Sequence, residues 1–96
     1  MPISKADTVV SLAGRDKGRL FFVLEVQEGF ALIADGKIRP MEKPKRKKLK
    51  HLQLAAHTES HVADKIRKGD SVLNSELRRD LAIFGQEFHC QNQGGE

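Results

Sequence analysis

Between Lys37 and His51 the chain carries eight Lys or Arg residues and a single acid, Glu42, for a local net charge of +7. The densest part is Pro44 to Leu52, PKRKKLKHL. The flanking portions hold only about −1 (residues 1–36) and −2 (residues 52–96). Charge gathered in one short window is the electrostatic footprint of a surface that meets a polyanion. Arginine offers a planar fork of donors to phosphate oxygens, and lysine offers a flexible point charge. Arg39, Lys43, Lys45, Arg46, Lys47, Lys48, Lys50 and His51 are therefore candidate RNA-contacting residues. Upstream, GRDKG (Gly14 to Gly18) brackets three charged residues with glycines, which leave backbone N–H groups open to a phosphate.

Two other readings of the basic run exist. Lysines on a last strand can blunt a sheet edge against pairing with other chains. A run such as KPKRKKLK also looks like a nuclear-import signal, although Leu49 and Leu52 draw it into a strand. Other chemistries find less support. There is no nucleophile–base pair, no phosphate-binding GxxxxGK[ST] loop and no carboxylate cluster, so an enzyme is not expected. Asp16, Asp35 and Asp70 stand beside glycines or basic residues and read as turn formers. His57 and His61 are four apart, with His89 and Cys90 further on, but zinc needs three or four closely spaced ligands. No metal or other cofactor is expected; solvated or helix-capping histidines are the default.

Ninety-six residues suit one small domain with a thin core. A lone cysteine, Cys90, excludes an internal disulfide and fits a reducing compartment. No apolar run approaches the ~18–20 residues that span a bilayer, and the N-terminus lacks the apolar stretch of a signal peptide. A cytoplasmic protein without membrane contact is the expectation.

The elements that must position these cations are short. Thr8 to Leu12 reads as a first strand. Leu20 to Val26 follows, with Leu20, Phe22, Leu24 and Val26 on one face and Phe21, Val23 and Glu25 on the other. Glu28-Gly29 and Asp35-Gly36 mark turns around a strand from Phe30 to Ala34. Ile38 starts a short strand stopped by Pro40, and a last strand runs from about Lys47 to Leu52. Five short strands point to a small barrel over residues 1–56. Residues 57–88 change to helical periodicity. Glu59 to Lys68 ends at a Gly69 cap, and a second helix runs from Asn74 to Phe84 until Gly85. Residues 89–96 read as a disordered tail. Phe21 is the one aromatic that could present an exposed ring for base stacking, although core packing fits it better. With no Trp or Tyr, recognition should favour folded RNA through shape and phosphates.

The segment TVVSLAGRDKGRLFFVLEVQEGFALIADGK resembles the KOW motif, through Val9-Val10, the Gly14 loop, Lys17-Gly18-Arg19, Phe22-Val23 and Ala34-Asp35-Gly36. The extension PKRKKLKHL is similar to the KOW ribosomal proteins of the archaeal and eukaryotic large subunit and their small bacterial relatives. The resemblance covers about Asp7 to Leu52. It implies a mainly β fold, an SH3-like five-stranded barrel with a C-terminal two-helix appendage. It also implies that Arg15, Lys17 and Arg19 lie near an RNA backbone, most plausibly ribosomal RNA. Because KOW barrels also dock on proteins, a module engaging ribosomal or transcription proteins is the alternative. Replacing Lys45, Arg46, Lys47 and Lys48 together with Ala is expected to weaken RNA binding and flatten its salt dependence. Thermal unfolding is expected to stay nearly unchanged.

Overall fold

The computed structural model describes residues 3–94, with side chains described as far as residue 85. Strands β1 (Thr8–Ser11), β2 (Leu20–Gln27), β3 (Phe30–Ala34), β4 (Lys45–Lys48) and β5 (Leu52–Ala56) precede helices α1 (His61–Lys68) and α2 (Asn74–Gly94). The architecture is mainly β: one antiparallel sheet in the order β4-β3-β2-β1-β5, with two helices. β4 and β5 form its two edges and do not pair among the described residues, so the sheet is not closed.

The run LFFVLEV can be apolar almost throughout because β2 is covered on both faces. Leu20, Phe22 and Leu24 meet the helices, in a cluster with Ala34, Val62, Ile66, Leu77 and Leu81. Phe21 and Val23 point to the opposite face and pack with Val9, Ala31, Ile33 and Leu52. Phe21, the one aromatic considered for base stacking, is fully buried. Strict alternation would put Val26 with Phe22. Instead the ladder to β3 shifts register between Val23 and Glu25, and Val26 joins the Phe21 face. A one-residue irregularity flips every side chain beyond it.

The third and fourth connections differ from the sequence expectation. Ile38 to Pro40 is not a strand. Asp35 Oδ1 accepts hydrogen bonds from the N–H groups of Lys37 and Arg39, both at 2.9 Å, which fold the chain into a turn. The expected last strand, Lys47 to Leu52, is two strands separated by a 3-10 turn at Leu49–His51. That turn carries the chain from one sheet edge to the other. Leu49 N–H donates to Gly29 O at 2.9 Å, and Leu12 N–H donates to His51 O at 2.8 Å.

α1 begins two residues later than expected, because Ser60 Oγ accepts from Ala63 N–H and caps it; Gly69, at φ 78°, ends it. α2 does not stop at Gly85. A glycine inside a helix costs about 1 kcal/mol relative to alanine without forbidding it, and the backbone stays helical to Gly94. Most of the segment expected as a disordered tail thus has helical backbone; residues 95–96, and the side chains of His89 and Cys90, lie outside the described residues. His57 is exposed, as expected, yet it is not free: its Nδ1 lies 2.9 Å from Oδ1 of the buried Asp7. Among the described residues no helix is long and apolar enough to cross a membrane.

The helices also hold the β3–β4 connection. Asn74 Oδ1 accepts from Met41 N–H at 2.7 Å, and Arg78 donates to Gly36 O at 2.6 Å. Gly36, at φ 79°, sits so close to the start of α2 that a Cβ would fall 2.3 Å from Asn74 O. Gly36→Ala should therefore lower stability by about 2 kcal/mol or more in urea unfolding. Gly29→Ala, at φ 74° with open space around it, should cost about half as much.

Candidate nucleic-acid interface

The β1–β2 loop is shaped by two glycines with left-handed backbone, Gly14 (φ 85°) and Gly18 (φ 86°). Gly18 N–H donates to Ser11 O at 2.8 Å and Arg19 N–H to Asp16 O at 3.0 Å, which closes the loop on itself. Asp16, at the loop's centre, is buried, and Lys47 reaches it from β4. The Lys47 ammonium donates to Asp16 Oδ1 at 2.7 Å, Ser11 Oγ at 2.7 Å and Ala13 O at 2.6 Å. All three ammonium protons are accounted for. Lys45 lies on the second carboxylate oxygen at 3.2 Å. Burial alone would raise the Asp16 pKa, but hydrogen bonds from Lys47, Ser11 and Lys45 outweigh it and hold the carboxyl well below the usual range.

β4 is where the basic run departs from its reading as one patch. Ladder partners Ala31–Lys47 and Ile33–Lys45 put Lys45 and Lys47 on the Phe21 face of the sheet. Arg46 and Lys48 point the other way. Arg46 lies over the Phe30 ring, 3.9 Å from its centroid, a cation–π contact that sequence periodicity did not announce. Lys47, expected to meet phosphate, is instead 7% exposed and bonded internally. A buried lysine must find partners, and the acid inside GRDKG, read as a turn former, is that partner. Lys48 and Lys50 are exposed, His51 is half-buried, and all three lie away from the β1–β2 loop cleft described next.

Four of the expected cations do converge. Arg15 and Arg19 from the β1–β2 loop, Arg39 from the β3–β4 connection and Lys45 from β4 line one open cleft of about 340 Å3. Phe21 and Ile38 supply its apolar lining, and Asp16 is the one acid in it. Among the described residues no carboxylate pairs with Arg15, Arg19 or Arg39. Asp16 is already matched by two lysines, so the cleft keeps a positive field. Arg39 is held by its own N–H on Asp35 and by its carbonyl, which accepts from Asp35 N–H and Gly36 N–H at 2.9 and 3.1 Å. Lys17 and Lys43 are exposed on the same two connections but do not line the cleft. Ile38 was not among the expected site residues; its only signal was an apolar side chain within a basic loop. Among the described residues no group of three or more His, Cys, Asp or Glu side chains could hold a metal.

No family model matches the chain, and no curated protein matches it.

Replacing all four residues from Lys45 to Lys48 should not leave unfolding unchanged after all. Lys47→Ala alone leaves the buried Asp16 carboxylate with only Ser11 and the more exposed Lys45, and should cost about 2 kcal/mol in urea unfolding. The Asp16 contribution also has a sign in pH. A carboxyl held low in the folded state adds stability above its unfolded pKa, and that stability is lost as pH falls below about 4. Asp16→Asn should be less stable than the parent at neutral pH and lose less stability between about pH 4 and pH 2; parallel acid titrations of unfolding would contradict this.

Proposed function

We propose that this protein binds structured RNA through the cleft between its β1–β2 and β3–β4 loops, as a ribosome-associated protein of the cytoplasm whose RNA is ribosomal. One observation carries the reading. Three arginines from two separately anchored loops converge with no carboxylate partner among the described residues, beside an aspartate already matched by two lysines. Guanidinium groups in that state are ready for phosphate oxygens, and both loops are fixed before any ligand arrives. The SH3-like, KOW-type barrel is part of the same proposal. It is supported by the strand order, the glycine-bounded first loop and the 3-10 turn joining β4 to β5. Lys17, Lys43, Lys48 and Lys50 would extend the field beyond the cleft.

A second reading, docking on a ribosomal or transcription protein, has an observation of its own. Ile3, Leu12, Leu49, Leu52 and Leu54 line an open apolar groove, in which Leu12 is 42% exposed. The helices cannot supply such a groove with their main apolar faces, because Val62, Ile66, Leu77 and Leu81 are buried against the sheet. Partners that survive nuclease treatment in a pull-down would favour docking.

The RNA reading predicts that the Arg15→Ala, Arg19→Ala, Arg39→Ala triple variant loses most of its affinity for a ribosomal RNA fragment. Its log–log salt slope should shrink by about 2. Thermal unfolding should be unchanged, since none of the three arginines makes an ion pair among the described residues. Arg46→Ala with Lys48→Ala, on the other face of β4, should weaken binding much less. Equal losses in both variants would point to a diffuse field rather than the cleft.

A further inference from the structure

The cleft is not lined as a pure phosphate site. Phosphate oxygens need donors alone, yet Ile38 lies at the cleft with 49% of its surface exposed. It comes from a turn that Asp35 and α2 hold in place. An isoleucine held out on a fixed basic loop offers an apolar plate. Around it stand Arg15, Arg19 and Arg39, whose planar guanidinium groups can donate to phosphate or lie flat against a π-system. Phe21 closes the bottom beneath these groups, fully covered.

Resting on the RNA reading above, we propose that the cleft receives a single unpaired nucleotide of a folded RNA. Its base lies against Ile38 and a guanidinium plane, and its phosphate meets the remaining arginines. A volume of about 340 Å3 is of the size of one nucleotide rather than a stretch of duplex. A paired base presents only its edge, whereas an extruded one offers a flat face that an apolar side chain can cover. Recognition of this kind targets bulges and loops, where bases are already unstacked. The ligand is thus a bulged or looped nucleotide, and the fixed loops read where the helix is interrupted.

The test uses two RNA hairpins identical except for one unpaired nucleotide, titrated by fluorescence anisotropy against the full chain. The parent protein should bind the bulged hairpin roughly fivefold or more tightly, near the low end of what a base plate contributes. Ile38→Ser should abolish that preference yet leave affinity for the fully paired hairpin intact, because the phosphate contacts remain. Ile38→Phe should restore or enlarge the preference, which also shows that the loop is folded. Equal binding of both hairpins, unaffected by either substitution, would overturn the nucleotide pocket while leaving RNA binding standing. Failure to bind either hairpin in a salt-dependent way would overturn both.

Discussion

A lysine ammonium enclosed by a hydroxyl, a carbonyl and a carboxylate ties the β1–β2 loop to β4, and the candidate site depends on that tie. Lys47 reaches Ser11, Ala13 and Asp16 together. A charge out of water is tolerated only when paired and hydrogen-bonded, so each member constrains the other two. The effect is geometric. Ser11 ends β1, Asp16 centres the loop, and Lys47 belongs to an edge strand separated from β1 by two intervening strands. Arg15 and Arg19 flank Asp16 closely enough in sequence that fixing the aspartate limits where their backbones can go.

The opposite wall of the cleft is held by different means. Asp35 folds the β3–β4 connection upon itself, and Asn74 and Arg78 of α2 fasten it from outside. The helices therefore do more than cover one face of β2. They share the core around Phe22 and also position the loop that bears Ile38 and Arg39. Two loops anchored independently make a cleft whose shape does not wait for a ligand, so little ordering cost is left for binding.

The basic strand serves two ends because a strand has two faces. Lys45 and Lys47 turn toward Asp16 and build structure. Arg46 and Lys48 turn outward on an edge strand, where charge discourages pairing with other chains. The edge-blunting reading of this segment and its role in a cationic surface are thus compatible. β5, with the uncharged sequence LQLAA, has no such protection on the other edge.

Local chemistry made much of the frame legible from sequence alone. Alternation in LFFVLEV, the glycines at 14, 18 and 29, and the Gly69 cap placed β1 to β3 and α1 within two residues, because each depends on neighbours along the chain. Arg15, Arg19, Arg39 and Lys45, candidates by residue type, are brought by the fold to one cleft. Only the folded chain decided the rest. The register shift that moves Val26 across the sheet, the 3-10 turn that splits the last strand, and the passage of α2 through Gly85 are settled by pairing and packing at a distance. So is the fate of the lysines. Composition counts charges, but the pleat and a buried aspartate more than thirty positions upstream of Lys47 determine which remain free.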